Sequence, residues 1–227
     1  MRSFWFLAIV GGLGCAILLG LGTWQLKRLS WKEAVLAEIG ASLVATPTPI
    51  ETPVDPIKDR FRAVTASGTF EAGEIHVWTT LKGQGAGYRI IAPFETKDHG
   101  RILVDRGFAP AADKQTARPL GDATLIGNLH WPDEISGFTP DPDRTGNVWY
   151  ARDIAQMAAE LQTQEILLVL RQSPKGSEAL TPMPIDTAGI PNDHLQYAIT
   201  WFSLALIWGG MTAYFLRRAG TQPKGSN

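Results

Sequence analysis

The chain has 227 residues, with 21 Lys and Arg against 22 Asp and Glu, so its formal net charge is −1. It contains no Lys- or Arg-rich tract and therefore lacks the electrostatic footprint of a nucleic-acid-binding protein. Its one cysteine, Cys15, excludes a disulfide framework, a CxxC redox pair and a thiolate zinc site.

The first predicted element is an apolar helix over residues 4–24. This run contains no charged residue and, at about 1.5 Å per residue, can cross a hydrocarbon core about 30 Å thick. A cleavable signal peptide would have a shorter apolar centre and a small-x-small cleavage site, which residues 23–26 do not provide. A lipoprotein anchor at Cys15 is also unsupported, because more apolar residues follow it. The pattern predicts an uncleaved transmembrane helix.

A helical extension and a linker are predicted over residues 25–60. Apolar residues recur at helical spacing from Leu26 to Leu43, so the first helix is expected to continue into water. The prolines at Pro47 and Pro49 end that helix, and further prolines favour an extended linker up to the next domain.

Short strand-like runs separated by turn residues occupy most of residues 61–191. Sequential short strands with tight turns predict an antiparallel sheet, most economically closed as a barrel without exposed edges. One helix over residues 153–161, with Asp153 as its N-cap, interrupts the strands. The predicted strands cover residues 61–70, 74–81, 88–95, 101–108, 124–131, 148–152 and 165–172.

The domain shows no motif of a known catalytic class. The glycines within residues 83–87 are assigned to a hairpin turn, because a strand rather than a helix follows them. No GxSxG or HExxH pattern occurs, and the histidines are isolated from one another. We therefore expect surface or packing roles for His76 and His130, on strands, and for His99, in a turn.

A charged pair followed by glycine ends the apolar run at residues 102–104. This pattern predicts a bulge or close backbone approach at Gly107, with Asp105 and Arg106 facing water. The alternative interpretation is a corner of the domain that faces a partner protein.

A second transmembrane helix over residues 195–216 and a tail over residues 217–227 complete the chain. Twenty residues from Tyr197 onward contain no charge, and a pair of arginines follows them. By the positive-inside rule the tail is cytoplasmic, so both termini are cytoplasmic and the domain is periplasmic. The basic residues at 27–32 favour the opposite orientation, but all 22 acidic residues lie between the helices and outweigh them. The predicted location is a bacterial inner membrane, or the mitochondrial equivalent.

Small residues recur at every fourth position in both apolar helices. Such ridges allow two transmembrane backbones to approach closely, so the helices are predicted to pack against each other. An oligomer or a larger membrane complex is the alternative use of the same ridges. The ridges are Gly12, Ala16 and Gly20 in the first helix and Ala205, Gly209 and Ala213 in the second.

A lone histidine, His194, lies at the mouth of the second helix. Ala198, Trp201 and Ala205 follow at steps of four and three and share its face, with Tyr197 beside it. Neutral imidazole is a common ligand of haem iron, and a porphyrin needs flat apolar walls, so axial haem ligation is one interpretation. The alternative is a solvated interfacial histidine, or one that caps the start of the helix.

Three motifs, in this order and in this two-helix frame, point to one family. They are GTWQLKRL at residues 22–29, VDRGF at residues 104–108 and NDHLQYAITWF at residues 192–202. On these motifs the chain resembles the Surfeit locus protein 1 family, membrane proteins that assist the assembly of cytochrome c oxidase. The resemblance covers nearly the whole chain.

The resemblance implies an inner-membrane biogenesis factor, not an enzyme, that acts on subunit I of cytochrome c oxidase together with other assembly factors. For bacterial members it implies transient binding and delivery of haem a. His194 would then supply an axial nitrogen to the iron, while Trp24, Tyr197 and Trp201 line the site. The alternative function is a membrane scaffold that stabilises an assembly intermediate through its β-rich domain without touching the cofactor.

The predicted architecture is an α+β membrane protein. Two transmembrane helices in the lipid bilayer flank an antiparallel β-rich, barrel-like extracytoplasmic domain that contains one short helix.

Overall fold

The chain divides into two compact units. The first consists of Met1–Glu38 with Ala188–Asn227, and the second of Ile39–Thr187. The structure, a computed structural model, describes residues 2–174 and 179–220. Part of the predicted tail, residues 221–227, lies outside this description.

The described residues form three α-helices, and two of these are long and apolar enough to cross a membrane. The mean hydropathy reaches 2.3 in the first helix and 1.4 in the last. The first helix is continuous, so the predicted span at residues 4–24 and its predicted extension form one element that ends shortly before Pro47. The helices are α1 (Arg2–Val44), α2 (Ile154–Leu161) and α3 (His194–Gly220).

Helices α1 and α3 pack against each other in antiparallel orientation, which confirms the predicted pairing. The indole Nε1 of Trp208 donates to the carbonyl oxygen of Gly11 at 3.1 Å, which requires the two backbones to be close. At Gly22 an added Cβ would lie 2.8 Å from the ring of Phe202. The large rings of α3 therefore fit against α1 only where α1 has no side chain.

The predicted ridge on α1 is wrong by about one position. Gly12, Ala16 and Gly20 are exposed, whereas Gly11 and Gly22 are buried. An added Cβ at Gly14 would also overlap the ring of Trp208, so the contact on α1 runs through Gly11, Gly14 and Gly22, which lie on one stripe of a 3.6-residue helix. On α3 the prediction fits better, because Ala205 is buried and Gly209 lies beside Cys15.

The second unit is built on one seven-stranded sheet with the order β1-β2-β6-β7-β5-β4-β3. Strand β2 also pairs with β4, so β2, β6, β7, β5 and β4 close into a ring. This arrangement confirms the predicted barrel-like domain. The strands are β1 (Thr48–Pro49), β2 (Ala63–Phe70), β3 (Ile75–Leu81), β4 (Gly85–Thr96), β5 (Gly100–Pro110), β6 (Gly121–Leu129) and β7 (Leu167–Leu170).

The sheet is mixed rather than wholly antiparallel. Strands β3, β4 and β5 form two antiparallel hairpins, the first through the turn predicted at residues 83–87, whereas β2 pairs with β6 and β4 instead of with β3. Strand β7 is parallel to β5, and β1 is parallel to β2. The chain reaches β7 through a long connection that contains α2, and such a crossover permits parallel pairing where a tight turn does not.

The predicted strand over residues 148–152 is not a strand. Only Val148 and Trp149 form bridges, to Asp143 and Val77 respectively. Trp149 is buried against α2 and the sheet, so its apolar character reflects packing rather than strand pairing. The predicted helix is present, and its cap is confirmed: the Asp153 carboxylate accepts from the backbone N–H of Gln156 at 3.0 Å.

Two large clusters of apolar side chains bury the faces of the sheet, and a smaller cluster lies around Tyr88 and Ile90. One large cluster fills the inside of the ring, where the rings of Phe70 and Phe94 meet edge to face with centroids 4.8 Å apart. The other large cluster lies between the sheet and α2, and Met157 of α2 is completely buried there. This double burial explains why β7 reads as a continuous apolar run.

The bulge predicted at Gly107 is present in β5. The pairing register of β4 and β5 shifts between Arg89 and Ile91, opposite this position. Gly107 has φ +107°, and a Cβ there would overlap the carbonyl oxygen of Thr181. The neighbouring Phe108 exchanges both backbone hydrogen bonds with Thr181, at 2.7 and 2.9 Å. Position 107 therefore requires glycine for both its backbone conformation and the space it leaves.

The substitution Gly107→Ala is expected to destabilise the domain. The positive φ costs about 1 to 2 kcal/mol and the overlap with Thr181 about as much again, so the free energy of unfolding should fall by about 3 kcal/mol. Urea unfolding of the full chain in detergent, followed by near-UV circular dichroism, measures this. Gly83→Ala is the matched control, since Gly83 has φ +85° and open space around it. Equal losses in both variants would contradict the role of the close contact.

Candidate functional site

His194, the predicted ligand, is the first residue of α3 and is half-buried. Its Nδ1 lies 2.8 Å from Oε1 of Gln25 on α1. A carbonyl oxygen can only accept, so in this arrangement Nδ1 carries the hydrogen and donates it. Among the described residues none hydrogen-bonds Nε2, which leaves the lone pair of that nitrogen available.

The three aromatic residues predicted to line the site have different environments. Trp24 and Tyr197 are each 56% exposed, so their rings project from the helix pair. Trp201 is half-buried and lies two turns from His194 on the same face of α3. The structure thus brings His194 together with Gln25, which the sequence reasoning did not single out. Roles for the aromatic side chains stay predictions.

A single imidazole donor restricts the kinds of metal group that this site can hold. In the described parts of the chain no three His, Cys, Asp or Glu side chains come together as a metal site. A bare zinc ion needs about four such ligands. A haem needs only an axial ligand from the protein, because the porphyrin supplies the other four nitrogens. The donor set at His194 therefore fits a haem.

The domain contains a buried ion-pair cluster around Asp105 that the sequence reasoning missed. Asp105 and Arg106 were predicted to face water, but they are only 1% and 2% exposed. The Asp105 carboxylate forms an ion pair with Arg89, lies 3.5 Å from Nη1 of Arg152, and accepts from the backbone N–H of Gly107 at 3.0 Å. The bulge thus turns the chain so that a buried carboxylate gains three partners.

The Arg106 side chain is buried in a different environment. Its guanidinium lies over the ring of Phe70, 4.2 Å from the centroid, and donates to the carbonyl oxygen of Pro119 at 3.0 Å. Burial lowers the pKa of Arg106 from its ordinary value, although the nearby Glu74 opposes this. Asp105 and Arg106 lie within a strand that is apolar on both faces, and this position is the signal from which their burial could have been predicted.

Arg152 extends the cluster to the surface through Glu134. Its Nη2 lies 2.5 Å from Oε1 of Glu134. Burial alone would lower the pKa of Arg152, but the bonds to Glu134 and the charge of Asp105 raise it. For Glu134 the directions are reversed: burial alone would raise its pKa, but the bonds to Arg152 outweigh burial and lower the pKa. Both groups are therefore charged at neutral pH.

An open cleft of about 250 Å³ lies over these charges. Arg89, Arg152 and Glu134 form its polar wall, and Trp78 and Tyr150 are half-exposed beside it. Arginine and large aromatic residues at a concave surface are typical of protein contact sites. The complete lining is Val77, Trp78, Thr79, Arg89, Glu134, Tyr150 and Arg152.

The three histidines of the domain have structural environments. His130 is buried just after β6, with its ring centroid 5.4 Å from that of Phe61. Burial, together with the charge of Arg152, lowers its pKa to about 4, so it is neutral at physiological pH. His76 is buried on β3 and its Nε2 lies 2.6 Å from Glu74. His99 lies in the turn between β4 and β5, as predicted.

The fold and site define a two-helix protein with a barrel-like domain and one accessible imidazole at the helix mouth. The sequence model of the SURF1 family matches residues 13–206, and the chain belongs to that family. It is 28% identical to Surfeit locus protein 1 of Rattus norvegicus, covering 88% of this chain and 71% of that protein. It is 31% identical to a SURF1-like protein of Monosiga brevicollis, covering 93% and 90%. A SURF1-like protein of Rickettsia felis is 29% identical over 84% of this chain and 88% of its own length.

The substitution Asp105→Asn is expected to lower the free energy of unfolding of the domain substantially. It removes the charge that two buried guanidinium groups share, and loss of one partner of a buried ion pair costs about 3 to 5 kcal/mol. Denaturant unfolding of the full chain in detergent measures the change. Glu160→Gln removes the carboxylate of the exposed ion pair with Arg144 and should cost less than about 1 kcal/mol. Similar small losses in both variants would show that the Asp105 cluster contributes little.

Proposed function

We propose that this protein binds haem a and assists its delivery to subunit I of cytochrome c oxidase. Membership of the SURF1 family implies a role in cytochrome c oxidase assembly, as an assembly factor rather than a known enzyme. The observation that supports haem a binding is the hydrogen bond between His194 and Gln25, which leaves Nε2 of His194 available for iron.

The proposed setting is a bacterial inner membrane, or the mitochondrial equivalent, with the β-domain on the periplasmic side. Helices α1 and α3 have the length and hydropathy for two spans. Arg217 and Arg218 in the last turn of α3 favour a cytoplasmic end. His194 begins the same helix and would lie at the opposite, periplasmic surface. Haem a would therefore be held where α1 and α3 leave the bilayer.

In this proposal haem a is cargo, and the chain's residues hold it at one point. His194 supplies the axial nitrogen, and Trp24, Tyr197 and Trp201 offer apolar ring surface to the porphyrin. The exposure of Trp24 and Tyr197 supports this use, because their rings are not committed to the helix interface. A single protein ligand also allows transfer, since only one coordinate bond must break for the haem to leave.

The substitution His194→Ala is expected to abolish the haem spectrum. The full-length protein, purified from cells that make haem a, should show the visible absorption bands of haem in the wild type and lose them in His194→Ala. His99→Ala is the control, since it removes a histidine from a turn of the other unit. A colourless wild type, or unchanged bands in His194→Ala, would end the ligand proposal.

A scaffold that holds an assembly partner through the β-domain is the second candidate function. The cleft beside Trp78 and Tyr150 favours it, because these rings are 43% and 46% exposed next to buried, preorganised arginines. The partner would be subunit I or another assembly factor. Such a contact needs no cofactor, so the two candidates make different predictions for the same variants.

Loss of the cleft's aromatic rings should affect oxidase assembly and leave the haem spectrum unchanged if the scaffold function operates. The double variant Trp78→Ala/Tyr150→Ala removes two interface-type side chains, each worth about 2 kcal/mol where it is a binding hot spot. Spectrally intact oxidase in membranes should then fall by about tenfold or more. Phe138→Ala, which removes a 97% exposed ring that does not line the cleft, is the control. Normal oxidase levels in the double variant would exclude the scaffold role of this cleft.

A further inference from the structure

Gln25 lies at the helix mouth and contacts His194 across the helix pair. It lies on α1 just after the glycine at position 22, where α1 approaches Phe202 most closely, and its side chain is half-buried. Its Oε1 faces Nδ1 of His194 at 2.8 Å. The contact joins the two side chains directly, so the amide is placed to act on the imidazole.

The partner of one imidazole nitrogen decides what the other can do. A neutral imidazole has one N–H and one lone pair, and an acceptor at Nδ1 selects the form with the hydrogen there. Nε2 then bears the lone pair and can act as a metal ligand. Metal-binding histidines are usually held in this way by an acceptor on their second nitrogen, which sets both the tautomer and the ring orientation.

The packing of α1 against α3 keeps the acceptor in place. Trp208 donates a hydrogen bond to the backbone of Gly11, and Phe202 fits against Gly22. These two contacts fix the register of α3 along α1. Helix register in turn sets the distance from Gln25 to His194. An amide also accepts without adding a charge to this apolar surface, whereas a carboxylate would have to be desolvated or protonated.

We infer that Gln25 is the positioning residue of the site: it fixes His194 in the Nδ1–H tautomer and so presents Nε2 to the haem iron. The inference rests on the proposed function for the identity of the ligand, but its first part concerns the protein without haem. That part can be tested separately.

The tautomer of His194 is measured by ¹⁵N NMR of the full-length protein in detergent, purified without haem a and held at alkaline pH. The chain has four histidines, so selective labelling gives four imidazoles, and His194→Ala identifies the signal of interest. The expected result is a protonated Nδ1 and an unprotonated Nε2 in the wild type. Gln25→Leu should shift the population toward the Nε2–H form. Gln25→Glu retains an acceptor and should keep the Nδ1–H form.

Haem a titration, followed by the visible spectrum, measures the consequence for binding. Gln25→Leu should weaken binding by about 10- to 100-fold, as is typical when the partner of a metal-bound histidine is removed. Gln25→Glu should restore most of the affinity. Gln196→Leu is the matched control, because Gln196 is an exposed glutamine on α3, and it should change neither the tautomer nor the affinity.

The outcomes separate this inference from the proposed function. If the wild type has the Nε2–H tautomer, the amide donates to His194 and the inference is overturned, even where haem binds. If Gln25→Leu leaves both tautomer and affinity unchanged, the inference is also overturned. If the tautomer responds to Gln25 but the wild type binds no haem a, the proposed function fails and only the tautomer part of the inference stands.

Discussion

The β-domain depends on one buried carboxylate. Asp105 lies in β5 with a completely buried side chain, where an unpaired charge would cost several kcal/mol. Its partners come from three places: Arg89 on the neighbouring strand, Arg152 just before α2, and the N–H of Gly107 in the bulge. The same interaction therefore fixes the register of β4 and β5 and the path of the long connection. It also places Arg89 and Arg152 in the wall of the cleft.

The helix pair is organised by the opposite kind of constraint, the absence of side chains. Phe202 and Trp208 are large, and α1 meets their rings with Gly22 and Gly14. Within a bilayer apolar burial would give no preference for another helix over lipid, so close packing and the bond from Trp208 would have to supply the association there. Close packing also determines register. This links the glycine positions of α1 to the distance between Gln25 and His194.

The sequence predicts the features that depend on local residue patterns and misses those that depend on contacts between distant residues. Both apolar helices, six of the seven predicted strands and the Asp153 cap follow from hydropathy, alternation and turn residues. The strand predicted around Trp149 is wrong because packing against α2, not pairing, explains its apolar residues. Asp105 and Arg106 were assigned to the surface because charge usually lies there, and only the fold shows that Arg89 and Arg152 neutralise the carboxylate. Gln25 gave no signal because its meaning depends on a residue 169 positions away.

In the proposed function, the helix mouth would have to satisfy two opposed requirements of a site for transferable cargo. The ligand nitrogen would have to be presented in one tautomer, since binding would otherwise first have to move a proton, and the bond to Gln25 would achieve this before the cargo arrives. The cargo must also leave, so it should not be enclosed, and the 56% exposure of Trp24 and Tyr197 keeps the surroundings of His194 open. A deep pocket with two axial ligands would bind haem more tightly and release it more slowly. In the proposed function, preorganisation of a single ligand on an open surface would instead give selective capture and would keep the number of bonds broken at transfer to one.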